Sequence, residues 1–252
     1  MKKTHQKQSL IVYGINPVTE AIVAGQKISK IWLDPSTGNK RLQNIKNISQ
    51  QKNIPIQQKT ADELFNLVNA EHQGVVAFLA GLSRLYSSLE DFFHQQKPEP
   101  PYLFMILDNI TDPRNLGALM RSADHFAVTA LVIPKHDGAP LSSVVFKTSS
   151  GAIHHLPVIQ QANLHQAILY LKKNDTWVYG LDAAGDKNLS DCDLKGNIAI
   201  VLGSEGKGMR RLVRESCDFL VNIKNLGHVD SLNVSVAGGI TLYEAMRQRS
   251  ND

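Results

Sequence analysis

Six short apolar runs recur between Tyr102 and Ile223: "YLFMILDNI", "ALVIP", "LPVIQ", "WVYGLDA", "IAIVLG" and "FLVNI". Each is too short for a buried helix and apolar at successive positions, so each predicts a strand covered on both faces. Helical patterns separate several of them, most clearly "PRNLGALMRSADHF" and "NLHQAILYLKKN". Strands alternating with helices restrict this part of the chain to an α/β fold with a mostly parallel sheet. In the first of these helices Asp112 is the expected cap and Pro113 the first helical residue, with Leu116, Leu119, Met120, Ala123 and Phe126 as the apolar stripe.

The first eighty residues make a smaller α/β unit. Its expected strands are "LIVYGI", "KISKIWLD", "IPIQQ" and "GVVAFLA". Its expected helices are "NPVTEAIVAG", with Asn16 as cap and Gly25 as stop, "RLQNIKNISQQKN" and "ADELFNLVN". Pro98, Pro100 and Pro101 then close "SRLYSSLEDFFHQQKPEPP", the best linker candidate. The predicted domains are therefore 1–80 and 102–252, joined by a linker over 81–101.

Composition narrows the function classes. Of 252 residues 42% are hydrophobic and 20% charged, the profile of a soluble globular protein. No apolar run approaches the roughly 18 residues of a membrane span, and the basic "MKKTHQKQSL" lacks the apolar stretch of a signal peptide. Cys192 and Cys217 lack metal-ligand spacing and the nine histidines are scattered, so no metal site is predicted and both thiols are expected reduced, in the cytoplasm. There is no P-loop, no G-x-G-x-x-G and no G-x-S-x-G. Residues 1–80 hold ten Lys and Arg against five Asp and Glu; the rest of the chain holds 17 against 18. All the net positive charge sits in the first third, which points to nucleic-acid contact by that part or to an ordinary lysine-rich surface.

Ligands of open α/β sheets bind beyond the carboxyl ends of the strands. Three such ends are rich in Gly, Asn and Ser: "NITDPRNLGALMRSA", "SEGKGM" and "KNLGHVDSLNVSVAGG". By helical period Arg114, Gly117, Arg121 and Asp124 lie opposite the apolar stripe; Arg121 either faces a ligand or pairs with Asp124. Three glycines surround Glu205, and Lys207, Arg210, Arg211 and Arg214 form a basic cluster after it, either a phosphate patch or a solvated helix face. In "DSLNVSVAGGI" Ser231, Asn233 and Ser235 alternate with Leu232, Val234 and Val236 like a strand, with Asp230 or Ser231 as the expected cap of a helix after it.

Together "NITDPRNLGALMRSA", "IVLGSEGKGM" and "HVDSLNVSVAGGITLYEA" resemble, in order, the three motifs of the SpoU (TrmH-like) RNA ribose 2′-O-methyltransferases of the SPOUT superfamily. "VYGINPVTEAI" and "EHQGVVA" resemble the substrate-binding domain that bacterial rRNA members carry ahead of the catalytic one. The resemblance spans nearly the whole chain and is nearest to the members that methylate a 23S rRNA guanosine. It implies an L30e-like RNA-binding domain, then a SPOUT α/β domain threaded by a deep trefoil knot. It implies S-adenosylmethionine as cofactor, held by the backbone of Gly203, Ile223 and Leu232, and a homodimer with the active site near its interface. It assigns Arg121 to the reacting hydroxyl, with Asn115, Glu205, Ser231 and Asn233 as orienting groups. It leaves tRNA as the rival substrate, and a non-catalytic ribosome-assembly factor as the rival role. One departure is visible: Ile223-Lys224-Asn225 stands where the family has Ile-Pro-Met; loss of the proline is expected to loosen that loop, and Lys224 either adds a phosphate contact or disturbs the cofactor pocket, so cofactor affinity is the property in question.

Overall fold

The computed structural model describes residues 10–229 and 231–250. In chain order the elements are β1 (Leu10–Tyr13), α1 (Ile15–Val23), β2 (Ile28–Leu33), α2 (Lys40–Gln51), β3 (Ile56–Gln58), α3 (Ala61–Val68), β4 (Val75–Leu79), β5 (Leu85–Tyr86), α4 (Leu89–Gln96) and β6 (Leu103–Leu107). They continue as α5 (Pro113–His125), β7 (Ala130–Pro134), α6 (Ser143–Thr148), β8 (Val158–Gln161), α7 (Leu164–Lys173), β9 (Trp177–Leu181), β10 (Lys187–Asn188), β11 (Ile198–Leu202), α8 (Arg211–Ser216), β12 (Phe219–Asn222) and α9 (Val234–Arg249).

Two compact units result. One holds the chain up to Ser83 together with Leu141–His154; the other holds Arg84–Pro140 and the chain from His155 onward. The first unit has a four-stranded sheet in the order β1-β4-β2-β3, antiparallel but for the β2–β3 pair. Its α1 begins one residue before the expected cap. Gly14, at φ +93°, precedes the helix, and Gln73 Oε1 accepts from Ile15 N at 3.0 Å, so Asn16 lies inside the first turn. By contrast α3 has a complete capping box between Thr60 and Glu63.

The second unit is an eight-stranded sheet, parallel throughout, in the order β10-β12-β9-β11-β6-β7-β8-β5. Within the stretch expected as a linker, β5 joins the sheet edge and α4 buries Leu89 and Phe92, whose ring meets Phe104 edge-on at 6.2 Å. An eight-residue helix with mixed charges carries too little periodicity to be read in advance. From β6 the chain builds outward through β7 and β8 on one side, then returns to place β11, β9 and β12 on the other. The strand order thus reverses between β6 and β11, where an open parallel sheet forms its ligand crevice. Among the described residues no helix is long and apolar enough to cross a membrane.

The alternating stretch 231–236 is not a strand. Asn233 is the N-cap of α9, its Oδ1 accepting from Ser235 N at 2.9 Å, which accounts for a residue that helix interiors disfavour. Ser231 lies ahead of the helix, and Asp230, the other expected cap, lies outside the described residues. α9 packs on α5 and on β11. Close contact demands a bare backbone at Gly238: a Cβ there would come within 2.5 Å of Leu119 Cδ2 and 2.9 Å of Leu202 Cδ1. At Gly239 a Cβ would make only an ordinary 3.8 Å contact with Ser122 Oγ.

These two neighbours give a paired prediction. Gly238→Ala gains up to ~1 kcal/mol of helix propensity but suffers overpacking of about 1–3 kcal/mol, for net destabilisation. Gly239→Ala gains the propensity alone. Urea unfolding of the two variants is expected to shift in opposite directions from the wild type.

Candidate active site

The crevice between β6 and β11 is organised by two strand-end carboxylates. Asp108 directly follows β6 and is fully buried. Its two oxygens accept from Arg210 N and Arg210 Nε, each at 2.7 Å, while its own amide donates to Leu202 O at 2.7 Å. The loop after β11 is thereby fixed to the end of β6 at both its beginning and its end. Inside the loop Ser204 and Gly208 exchange backbone hydrogen bonds of 3.1 and 2.9 Å. The turn is so tight that a Cβ on Gly203 would fall 2.2 Å from the carbonyl carbon of Gly208 and the amide of Met209, so glycine is the only residue that fits.

The turn presents Glu205 toward two helices. Its Oε1 accepts from Asn115 Nδ2 of α5 at 3.0 Å, from Asn233 Nδ2 at 2.6 Å and from Val234 N at 3.3 Å. Asn233 Nδ2 also donates to Asn115 Oδ1 at 3.1 Å, closing a triangle of side chains drawn from three separate segments. Val234 is the first residue of α9, so the carboxylate sits where backbone N–H groups lack helical partners and where the helix dipole favours negative charge.

Of the residues singled out from sequence, Asn115, Glu205 and Asn233 are brought together. Arg121 is not part of their cluster: it lies six residues, about 9 Å, further along α5. It is exposed and forms no ion pair with Asp124 or any other described residue. Ser231 and Leu232 are exposed and make no hydrogen bond to a described residue, and Ile223 is half-buried just past β12. Gly117, expected on the open face of α5, is buried. The basic cluster is largely neutralised. Arg210 pairs with Asp108, Arg211 with Glu215 at 3.3 Å and Arg214 with Asp182 at 2.6 Å; Lys207 alone of the four has no ion pair among the described residues. Burial raises the Asp182 carboxyl, but the hydrogen bonds from Arg214 and the Ala184 amide, together with the charge of Arg214, outweigh it and the net shift is downward.

Two contributions were missed from sequence. Ser235 donates its hydroxyl to Asn233 Oδ1, holding the Asn side chain in its bridging pose. Asp108 is the other, and its signal was present: a lone carboxylate ending a fully apolar strand. The departure at 223–225 also resolves differently from expectation. Asn225 Oδ1 accepts from Gly227 N at 2.9 Å and Asn225 Nδ2 donates to Val229 O at 2.8 Å, so this Asn closes the loop that a proline was expected to stiffen. Among the described residues no three His, Cys, Asp or Glu side chains are grouped to hold a metal ion.

Residues 102–243 match the model of the SpoU rRNA Methylase family, and residues 11–85 match that for RNA 2′-O ribose methyltransferase substrate binding. Bacillus subtilis (strain 168) YacO, assigned by name to the TrmH family of tRNA/rRNA methyltransferases, is 39% identical over 241 residues, covering 95% of this chain and 96% of its own. A Staphylococcus aureus (strain COL) protein of the same designation is 38% identical over 243 residues, covering 96% and 97%. The crystal structure of the SpoU methyltransferase AviRb from Streptomyces viridochromogenes, in complex with AdoMet, superposes with a TM-score of 0.83 at 21% identity over 100% of this chain and 95% of that one, a likeness of fold. The A. aeolicus TrmH/SpoU tRNA modifying enzyme aligns with 61% of this chain and 78% of its own at 28% identity and a TM-score of 0.54.

Asp108→Asn tests the first carboxylate. An amide keeps the acceptor for Arg210 N but turns an N–H toward Arg210 Nε, and a buried charge-assisted bond is lost. Unfolding in urea is expected to register a loss of about 1–3 kcal/mol.

Proposed function

The chain belongs to the SpoU rRNA methylase family, and from that membership we propose that it transfers a methyl group from S-adenosylmethionine to a ribose 2′-hydroxyl of RNA, on a guanosine of 23S rRNA. The observation that carries the proposal is the Asn115–Glu205–Asn233 triangle at the sheet's reversal point, built from all three motif segments. The substrate-binding match over residues 11–85 and the positive charge of the first eighty residues support RNA as the substrate.

The residues present fit the cofactor. Gly203 offers bare backbone at the end of β11, Leu232 has amide and carbonyl free of other described residues, and Ile223 and Leu232 add apolar surface for a nucleoside. When bound, S-adenosylmethionine supplies an electrophilic methyl on a sulfonium. A neutral 2′-hydroxyl is a weak nucleophile, so the chain's task is alignment together with stabilisation of the charge that develops on the oxygen. Asn115, Glu205 and Asn233 fix the two loops and both helices, and Ser231 adds a hydroxyl at the same helix entry. A guanidinium offers a fixed positive charge with several N–H donors. Arg121, with no carboxylate partner among the described residues, meets the nascent alkoxide as a cation, and an RNA phosphate takes the proton.

The same reading includes a deep trefoil knot and a homodimer. Support for the knot comes from the chain's path. It leaves β12, two strands beyond β11, and returns as α9 against α5 and β11. Support for the dimer comes from an apolar stripe on α9. Val236, Ile240 and Tyr243, spaced i, i+4, i+7, are 49%, 39% and 54% exposed. With Arg121 outside the triangle, a second copy docked on this face completes the site.

Two experiments test the reading. Purified protein is incubated with labelled S-adenosylmethionine and total RNA from cells lacking the activity, and the methylated nucleoside is identified. Label is expected in 2′-O-methylguanosine of 23S rRNA, and Arg121→Ala is expected to lower turnover by about 10²–10³-fold; label in tRNA instead would replace the substrate, and full turnover by the variant would remove Arg121 from its role. In sedimentation analysis, Ile240→Glu is expected to convert a dimer to a monomer; an unchanged mass would place the dimer contact elsewhere.

A further inference from the structure

We propose that a cleft in the first unit, remote in sequence from the methyl-transfer motifs, seats one unpaired nucleotide of the RNA. The inference rests on the RNA-methylating reading given above. The cleft has a volume of about 430 Å³ and opens where β2 ends, between the turn into α2 and the strand β3. That volume falls within the ~300–1,000 Å³ of small-molecule sites.

Its lining has the composition a nucleotide needs. Leu33, Leu42 and Ile56 give an apolar wall for the face of a base. Lys40 and Lys46 supply two cations, and neither forms an ion pair with a described residue. Asp34 is the one carboxylate in the lining. It is buried and turned onto its own loop, accepting from Ser36 N at 2.9 Å and Ser36 Oγ at 2.7 Å. The cleft therefore carries positive charge matched to a phosphate.

Side-chain amides supply the base-reading groups. Asn39 spends its oxygen on capping Arg41 N and keeps its amide donors. Gln43 gives one donor to Asn47 and keeps its acceptor. The Gln58 side chain makes no hydrogen bond to a described residue. Donor and acceptor amides beside an apolar wall match the edge and face of an unstacked base, and unpaired bases are where sequence-specific RNA recognition is concentrated. A paired base exposes neither its face nor its Watson–Crick edge, so the cleft selects single strand over duplex.

The test uses the full chain and a steric plug. Gly38 lines the cleft, and a Cβ there would meet no heavy atom within 4 Å, so a side chain at this position starts in open space and Gly38→Phe serves as the plug. Fluorescence anisotropy measures binding to a labelled 20-nucleotide single-stranded RNA of mixed sequence and to the duplex of the same sequence. The wild type is expected to prefer the single strand. Gly38→Phe and the double variant Lys40→Gln/Lys46→Gln are each expected to weaken single-strand binding about tenfold while leaving duplex and S-adenosylmethionine binding unchanged. The lysine variant keeps the test decisive if the plug disturbs folding. Single-strand binding by the wild type that neither variant alters would overturn the cleft assignment and leave the methylation reading standing. Wild-type protein that binds no RNA would overturn both. Nucleoside monophosphates that displace the oligonucleotide at equal concentration would show a free nucleotide to be the occupant and overturn the assignment to RNA.

Discussion

A single carboxylate oxygen, Oε1 of Glu205, accepts N–H groups from α5, from the segment that leads into α9 and from the first amide of α9 itself. Three stretches separated by some ninety and thirty residues converge on that atom. Only Asn115 lies within a regular element; the loop after β11 and the residues that lead into α9 do not. The strand-end loop after β11 curls back on itself, and the segment before α9 crosses to the sheet without belonging to it. A carboxylate suits the junction because it can only accept, and the donors around it are amides that would otherwise turn to water. The site's geometry depends on this convergence, and the convergence depends on the sheet placing β6 and β11 side by side.

Small residues make that placement possible. Gly203 lets the loop close to backbone contact, and Gly238 lets α9 lie directly on Leu119 and Leu202. A buried Asp108 then holds the far end of the loop through both the backbone and the guanidinium of Arg210. The chain thus uses glycine where atoms must approach and charge where a loop must be held, at opposite ends of one turn. Arg210, Arg211 and Arg214 near the crevice are held by neighbouring carboxylates, while Arg114, Arg121, Lys207 and Lys224 are exposed and form no ion pair among the described residues.

Much of this was legible in the sequence, unevenly. The six central strands, the helix capped by Asp112 and the helical pattern of Leu164–Lys173 were readable because apolar runs, periodicity and caps are local signals. The three motif segments were readable because each follows a strand. The short elements β5 and α4 were not, since two strand residues and two helical turns leave little pattern. The cap of α9 was misplaced because its alternating small residues imitate a strand. The role of Asn225 in closing its loop was invisible, because it depends on backbone groups that only the folded chain brings near. The division of the chain into units also escaped a linear reading: Leu141–His154, late in sequence, packs with the first unit through α6 and β1.

Under the proposed function, the Glu205 junction shapes the site for S-adenosylmethionine. Titration calorimetry of the full chain with S-adenosylmethionine addresses it without requiring the RNA substrate. Saturable binding is expected for the wild type and at least tenfold weaker binding for Glu205→Ala, about 1.4 kcal/mol, with the cooperative thermal transition retained. Binding by Glu205→Ala as tight as by the wild type, or no binding by either protein, would contradict it.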